Sequence, residues 1–352
     1  MKREKNDNNV TLTRRTALKL AAAGTAAGIL GLSPSDALGD PAKAGVSRTV
    51  SGPGHVVKVH MPGMRSGAFP DPRASRVMVD RAVATLARET DASRAWSRFI
   101  SPTDRVGIKV NCLGTKMASS MVEVVYAVAD AVRDAGVPDS NILILDMFAS
   151  NMMGGRFTQA TNPNKMRVLA HKDHSYQRSW IHAGPARVKL SKLFLWTTAI
   201  INVPPIKDHD LAGVTCTMKN MTFGVCEKPH VNHSTINESI AHLYALDEIR
   251  SRVKLNIIDG SAVLYDGGPK FNRAAHAPHE CIYATEDPVA MDAVAFELIE
   301  LLRAENGLRT LADVRRPPTF LELAQDMGLG ISDRQMIHLQ TVDLPRLTGP
   351  SS

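Results

Sequence analysis

The chain has 352 residues, 44% of them hydrophobic and 22% charged, enough apolar material for a large core and too much for a disordered or collagen-like chain. Its formal charge of +7 is partly terminal: residues 1–39 hold six cations against three anions, so residues 40–352 carry +4. That mild excess, with aromatics at 5%, excludes a nucleic-acid footprint and offers few stacking platforms for single strands.

The amino-terminal segment reads as an address. A charged prefix ends in Thr13-Arg14-Arg15-Thr16-Ala17-Leu18-Lys19, and an apolar stretch diluted by Ala, Gly and Thr runs from Leu20 to Leu32, closed by Pro34. This is a twin-arginine signal layout, and the stretch falls short of the ~20 residues needed to span a bilayer. Cleavage is expected after Gly39 or after Ala44, giving a signal peptide over 1–39 and a single mature domain over 40–352. The translocase is then the partner in export. The mature product is expected in the periplasm or outside the cell, with no stable membrane span. Export through this route often follows cofactor insertion. Four cysteines, Cys112, Cys216, Cys226 and Cys281, allow three full disulfide pairings among which the sequence does not choose.

Apolar periodicity predicts strands alternating with amphipathic helices: an α/β fold with a mostly parallel central sheet and helices on both faces. Strands are predicted at 56–60, 105–110 and 141–146, with helices at 75–90 and 120–135 between them, the second stopping at Gly136 as an αL cap. Residues 147–185 read as a long irregular excursion with one short helix. A buried strand at 199–203 is ended by Pro204-Pro205. A loop, a short helix near 214–220 and a helix at 236–250 follow. Further strands fall at 254–259 and 281–284. Pro288 opens a helix to about residue 303, and the tail holds a helix at 319–327 and an edge strand at 336–342.

In open α/β sheets, ligands gather beyond the carboxyl ends of the strands, so the residues closing each strand are the candidates. Lys109 and Asn111 share one face of their strand by period two; Lys207 and His209 follow the proline pair; Lys219 and Asn220 sit on the short helix; Asp259 and Asp287 close later strands. Three ammonium groups and two side-chain amides converging there would make a donor-rich pocket for a small carboxylate or phosphate. Each lysine alone is equally explained by solvation or by pairing with Asp259 or Asp287, and Asp287 by helix capping. His209, at a free pKa near ~6.5, suits a general acid or base, with Lys207 and Lys219 as its catalytic neighbours.

A second cluster is denser: His209, Cys216, Cys226, His230 and His233 fall within 25 residues. Cys216, Cys226, His230 and His233 are of the type that binds zinc, iron or copper, although the spacing matches no standard zinc ribbon and the cysteines and histidines are equally read as core thiols and loop imidazoles. No C-x-x-C pair is present, which argues against a cubane iron–sulfur cluster.

Taken in order, Lys109-Val110-Asn111, Lys207-Asp208-His209, Gly213-Val214-Thr215 with Lys219-Asn220, Ile258-Asp259-Gly260 with Gly268-Pro269, and Glu286-Asp287-Pro288 through Asp292 resemble the domain of unknown function 362 (DUF362) family over roughly residues 55–340. The leader and the lack of a ferredoxin module place the resemblance with its exported branch. The resemblance implies the fold and the site more than an activity. Two functions follow as expectations: an exported enzyme acting on a small anion, by hydrolysis, elimination, isomerisation or redox turnover at a metal, or an exported binding protein that captures a metal or anion without turnover.

Overall fold

The structure is a computed structural model and describes residues 51–348; the expected signal peptide and both expected cleavage positions lie outside them. Ten strands form the central sheet: β1 (His55–His60), β2 (Val106–Val110), β3 (Ile142–Asp146), β4 (Arg167–Ala170), β5 (Ala199–Val203), β6 (Pro205–His209), β7 (Gly213–Thr215), β8 (Val253–Leu264), β9 (His276–Thr285) and β10 (His338–Asp343). The main path runs β10-β1-β9-β8-β5-β2-β3-β4, with β6 paired to β8 and β7. Along that path β9 alone runs against its neighbours, so the sheet is mostly parallel.

Alternation divides the core. In β2 and β5, Val106, Ile108, Val110, Ala199, Ile201 and Val203 face one side, where helices α1 (Pro72–Ala87) and α2 (Val122–Asp134) cover them. Ile200 and Ile258 face the other, under α3 (Thr217–Thr222), α4 (Ile236–Tyr244), α5 (Pro288–Glu305) and α6 (Phe320–Asp326). Helices therefore cover both faces, as the alternation of strand and helix predicts. Local chemistry sets the ends: Asp71 caps α1 through the backbone N–H groups of Arg73 and Ala74, and Gly136 takes φ +94° just past α2.

Three expectations are corrected. The excursion 147–185 contains β4, the outermost strand, which pairs in parallel with β3; four residues flanked by polar turns carry too little alternation to announce a strand. Val203 closes β5 before Pro204-Pro205, as expected, but the loop expected after the prolines is a strand. Lacking an N–H, the prolines step the chain off the line of β5, and it restarts as β6 on a shifted register of β8. The helix expected over 236–250 breaks at Leu246, whose backbone is extended, and resumes for one turn at Asp247–Arg250.

The restart as β6 matters for the site. It makes Lys207 and His209 strand residues on one face, with Asp208 on the other, bound to Arg316 at 3.0 Å. Gly268 packs so closely behind Asp208 that a Cβ would stand 1.9 Å from its carbonyl oxygen, which is why glycine occupies that position.

Candidate active site

Lys109 is fully buried on β2. Its register partners on the same face of the next strands are Asn202 of β5, Asn256 of β8 and Thr285 of β9, a polar row through the middle of the sheet. The row is hydrogen-bonded throughout. Asn202 Nδ2 donates to Asn256 Oδ1 at 2.9 Å, and Asn256 Nδ2 to the Thr285 carbonyl at 3.3 Å. Asn220, reaching down from α3, donates Nδ2 to Asn202 Oδ1 at 2.8 Å and accepts at Oδ1 from Lys109 Nζ at 3.1 Å and from Asn111 Nδ2 at 3.3 Å. Lys109 Nζ also donates to Asp146 Oδ1 at 2.8 Å and to the Val110 carbonyl at 2.5 Å, so its three protons are committed. Burial alone would raise the Asp146 carboxyl; the Lys109 ammonium outweighs it and holds the group below the ordinary carboxylate value.

Lys207 is saturated in the same way. Its Nζ donates to Asn111 Oδ1 at 2.7 Å, to the Ala118 carbonyl at 3.2 Å and to the Leu113 carbonyl. It clamps the loop after β2, and burial together with the nearby Lys219 lowers it to about 7. Gly224 lets the chain pass over Lys109, because a Cβ there would meet Nζ at 2.7 Å.

Lys219 differs. It is 9% exposed, yet among the described residues its Nζ makes no hydrogen bond; its nearest described ring is Phe223, 5.5 Å from Nζ. Burial lowers it to about 8, against the opposing pull of Asp210 and with a further push from Lys109. It lines a cleft of about 530 Å³ beyond the carboxyl ends of β2 and β3, together with Asn111, Asp146, His209, Asp210, Asn220, His230 and His233. Leu113, Phe148 and Leu211, each more than a third exposed, stand on the same walls and give an otherwise polar cleft an apolar lip.

His209 does not sit near 6.5. Its Nδ1 stands 3.1 Å from Asp210 Oδ1 and faces the backbone N–H of Leu211 at 3.1 Å and of Ala212 at 3.3 Å; in the neutral ring those two donors require Nδ1 to accept, which assigns the ring proton to Nε2. Burial, then Lys219 and Lys207, lower it to about 2. At neutral pH it is a neutral imidazole offering an N–H, and the general-base role expected of it has no free lone pair to work with.

The structure brings Lys109, Asn111, Lys207, His209, Lys219 and Asn220 to one rim of the sheet. It does not bring the two expected carboxylates, Asp259 and Asp287, into the cleft. Asp259 accepts the N–H of Met121, at the start of α2, at 2.7 Å and that of Ser261 at 3.1 Å. Asp287 caps α5 and accepts from Val289, Ala290, Gly54 and Ile331 as well. Both are saturated by backbone and absent from the cleft. The metal set is likewise not assembled: among the described residues no three His, Cys, Asp or Glu side chains are arranged to hold an ion. Cys216 lies in the core beside Asp292, and Cys226 donates to the Thr222 carbonyl. Burial raises both thiols, Cys226 to about 12, which keeps them protonated, whereas His230 and His233 are exposed on a 3-10 turn. All four cysteines are free.

Residue-type reasoning missed Asp146, Asn202, Asn256 and Thr285. Their signal was present: an amide in the middle of an apolar strand, as in Ile201-Asn202-Val203 or Leu255-Asn256-Ile257, has to find a partner within the core.

The family model described as Domain of unknown function (DUF362) matches residues 106–297, more than half of the chain. No curated protein matches it. Among solved structures, the lactate racemase apoprotein from Thermoanaerobacterium thermosaccharolyticum is similar at 11% identity and a TM-score of 0.39, covering 61% of this chain and 52% of that one. A protein from Thermotoga maritima is similar at 9% identity and a TM-score of 0.42, covering 69% and 61%. The chain thus spans about half to three fifths of the lengths of these structures, and at such identities the likeness does not reach their chemistry.

Proposed function

This chain belongs to the DUF362 family, and from that membership and the geometry of the cleft we propose that it is an enzyme taking a small organic anion, with Lys219 as the counter-ion. The observation that carries the reading is the contrast in hydrogen bonding: Lys109 and Lys207 spend every proton inside the protein, and Lys219 spends none. Lys219 Nζ reaches the cleft with no hydrogen-bond acceptor among the described residues, so its charge is left for solvent or for an anion that enters, and a charge-assisted bond there is strengthened by the surrounding burial. The Nε2–H of His209 adds a neutral donor, and the apolar lip of Leu113, Phe148 and Leu211 accommodates a hydrocarbon portion.

The test is thermal denaturation of the full chain with a panel of small carboxylates and organic phosphates. A member present at ~100 times its Kd adds about 2.7 kcal/mol to stability, an effect that Lys219→Met removes. If every panel member leaves the melting temperature unchanged, or shifts the variant equally, the reading is wrong.

Export is the second part of the proposal and rests on Arg14-Arg15 with the short apolar stretch after them. Replacing both arginines by lysine should hold the protein in the cytoplasm. Equal export of the two forms refutes it.

A further inference from the structure

We infer that Lys219 is a nucleophile toward carbonyl carbon: the cleft condenses a small oxo acid onto Nζ as a Schiff base. The inference rests on the anion-binding reading above and narrows its substrate to anions that also carry a ketone or aldehyde.

Three observations support it. Of the rim lysines Lys109, Lys207 and Lys219, only Lys219 makes no Nζ hydrogen bond among the described residues, so attack breaks none of those contacts. It is nearly enclosed yet reaches a cleft with space for a small acid. Its charged surroundings are mixed: Asp210 favours the ammonium, while Lys109 and burial disfavour it, with Lys207, His209 and His233 also within its field. An amine held in a desolvated pocket near a second cation is the arrangement that activates lysine for imine formation.

The step balances. The neutral amine adds to the carbonyl carbon, and a proton passes from nitrogen to the oxygen to give a carbinolamine. The hydroxyl then leaves as water, and the carbon–nitrogen double bond forms. From ammonium to iminium, Lys–NH3+ and O=CR2 become Lys–NH+=CR2 and water, with no oxidant or reductant required. The positive charge is conserved, so the counter-ion role toward the acid's carboxylate survives the condensation. The Nε2–H of His209, on the same wall, is a donor for the carbonyl oxygen as it gains charge.

The experiment is reductive trapping of the full chain with sodium cyanoborohydride and glyoxylate, pyruvate or 2-oxoglutarate, followed by intact mass and peptide mapping. The expected product is one adduct per chain, of the probe's mass less one oxygen, on Lys219, absent from Lys219→Met and Lys219→Arg. Labelling should rise about tenfold per pH unit until about pH 8, where the amine is half neutral. Propionate, an anion without the carbonyl, should slow it by competing for the cleft.

If the oxo acids stabilise the protein through Lys219 and nothing is trapped there, the Schiff base is refuted while the anion cleft stands. If no probe stabilises the protein and none is trapped, both fall. Adducts spread over surface lysines refute the nucleophile, and an adduct confined to Lys219 supports it even where stabilisation is small.

Discussion

The polar row inside the sheet and the cleft above it are built from the same residue types, lysine, asparagine and aspartate, a few ångströms apart, and they do opposite things. In the row, Lys109, Asn202, Asn220 and Asn256 hydrogen-bond one another and the backbone until little capacity is left. In the cleft, Lys219 and the Nε2–H of His209 are held in place by burial and by bonds made elsewhere on the chain, and their working atoms are unspent. The difference teaches that charge and burial do not separate a lysine spent inside the protein from one left open to a cleft. Hydrogen-bond saturation does.

The sharpest way to break that comparison is Lys109→Met. It leaves the Asp146 carboxylate buried without its ammonium, and urea unfolding should show a loss of about 3–5 kcal/mol. Replacing the pair together, Lys109→Met with Asp146→Leu, should recover much of it; a single variant within 1 kcal/mol of the parent would mean that the row is not structural.

Asn202→Ala is next. It orphans Asn256 Oδ1 and leaves Asn220 Nδ2 only its 3.5 Å bond to the Lys109 carbonyl, for an expected cost of about 1–3 kcal/mol by the same measurement.

The pH dependence of His209 is smaller. Its folded pKa lies below its unfolded value, so its stability contribution is complete above about 6.5 and is lost as pH falls from there toward about 2. Melting followed from pH 7 to pH 4 should show a slope of about 1 kcal/mol per pH unit from this group, and His209→Asn should lower the total slope by that amount while the buried His171 and His279 keep theirs.

The smallest effect sharpens the contrast most. Lys219→Met breaks no hydrogen bond and removes a buried charge, so its stability should stay within about 1 kcal/mol of the parent or rise, while anion binding is lost. A loss as large as that of Lys109→Met would place Lys219 in the structural row after all.

Much of this was legible in the chain, for local reasons. Ile142 to Leu145 and Ala199 to Ile201 are apolar runs that only a doubly covered strand buries, and Gly136 ends α2 because an αL residue without a Cβ is needed there. Lys109, Asn111, Lys207, His209, Lys219 and Asn220 were identifiable as rim residues because strand ends in such sheets converge. The strand Arg167–Ala170 and the restart at Pro205 were not, since both depend on a neighbouring strand offering a register. The metal set failed for a related reason. Proximity along the chain put Cys216 and His233 together on paper, and the fold sends one into the core and the other to solvent.

What the amino-acid order settled alone was periodicity and punctuation: where the longer apolar strands and amphipathic helices run and which residue types stand at their ends. Those follow from interactions over three or four residues. The tertiary structure decided which lysines are hydrogen-bonded inside the protein and which is left open to the cleft. Asp146, Asn111 and the loop carbonyls reach Lys109 and Lys207 across strand pairing and chain reversals, and among the described residues no hydrogen-bond acceptor reaches Lys219 Nζ. Whether a polar atom is spent is a property of its partners, and partners far apart in the chain meet only when the sheet closes over them.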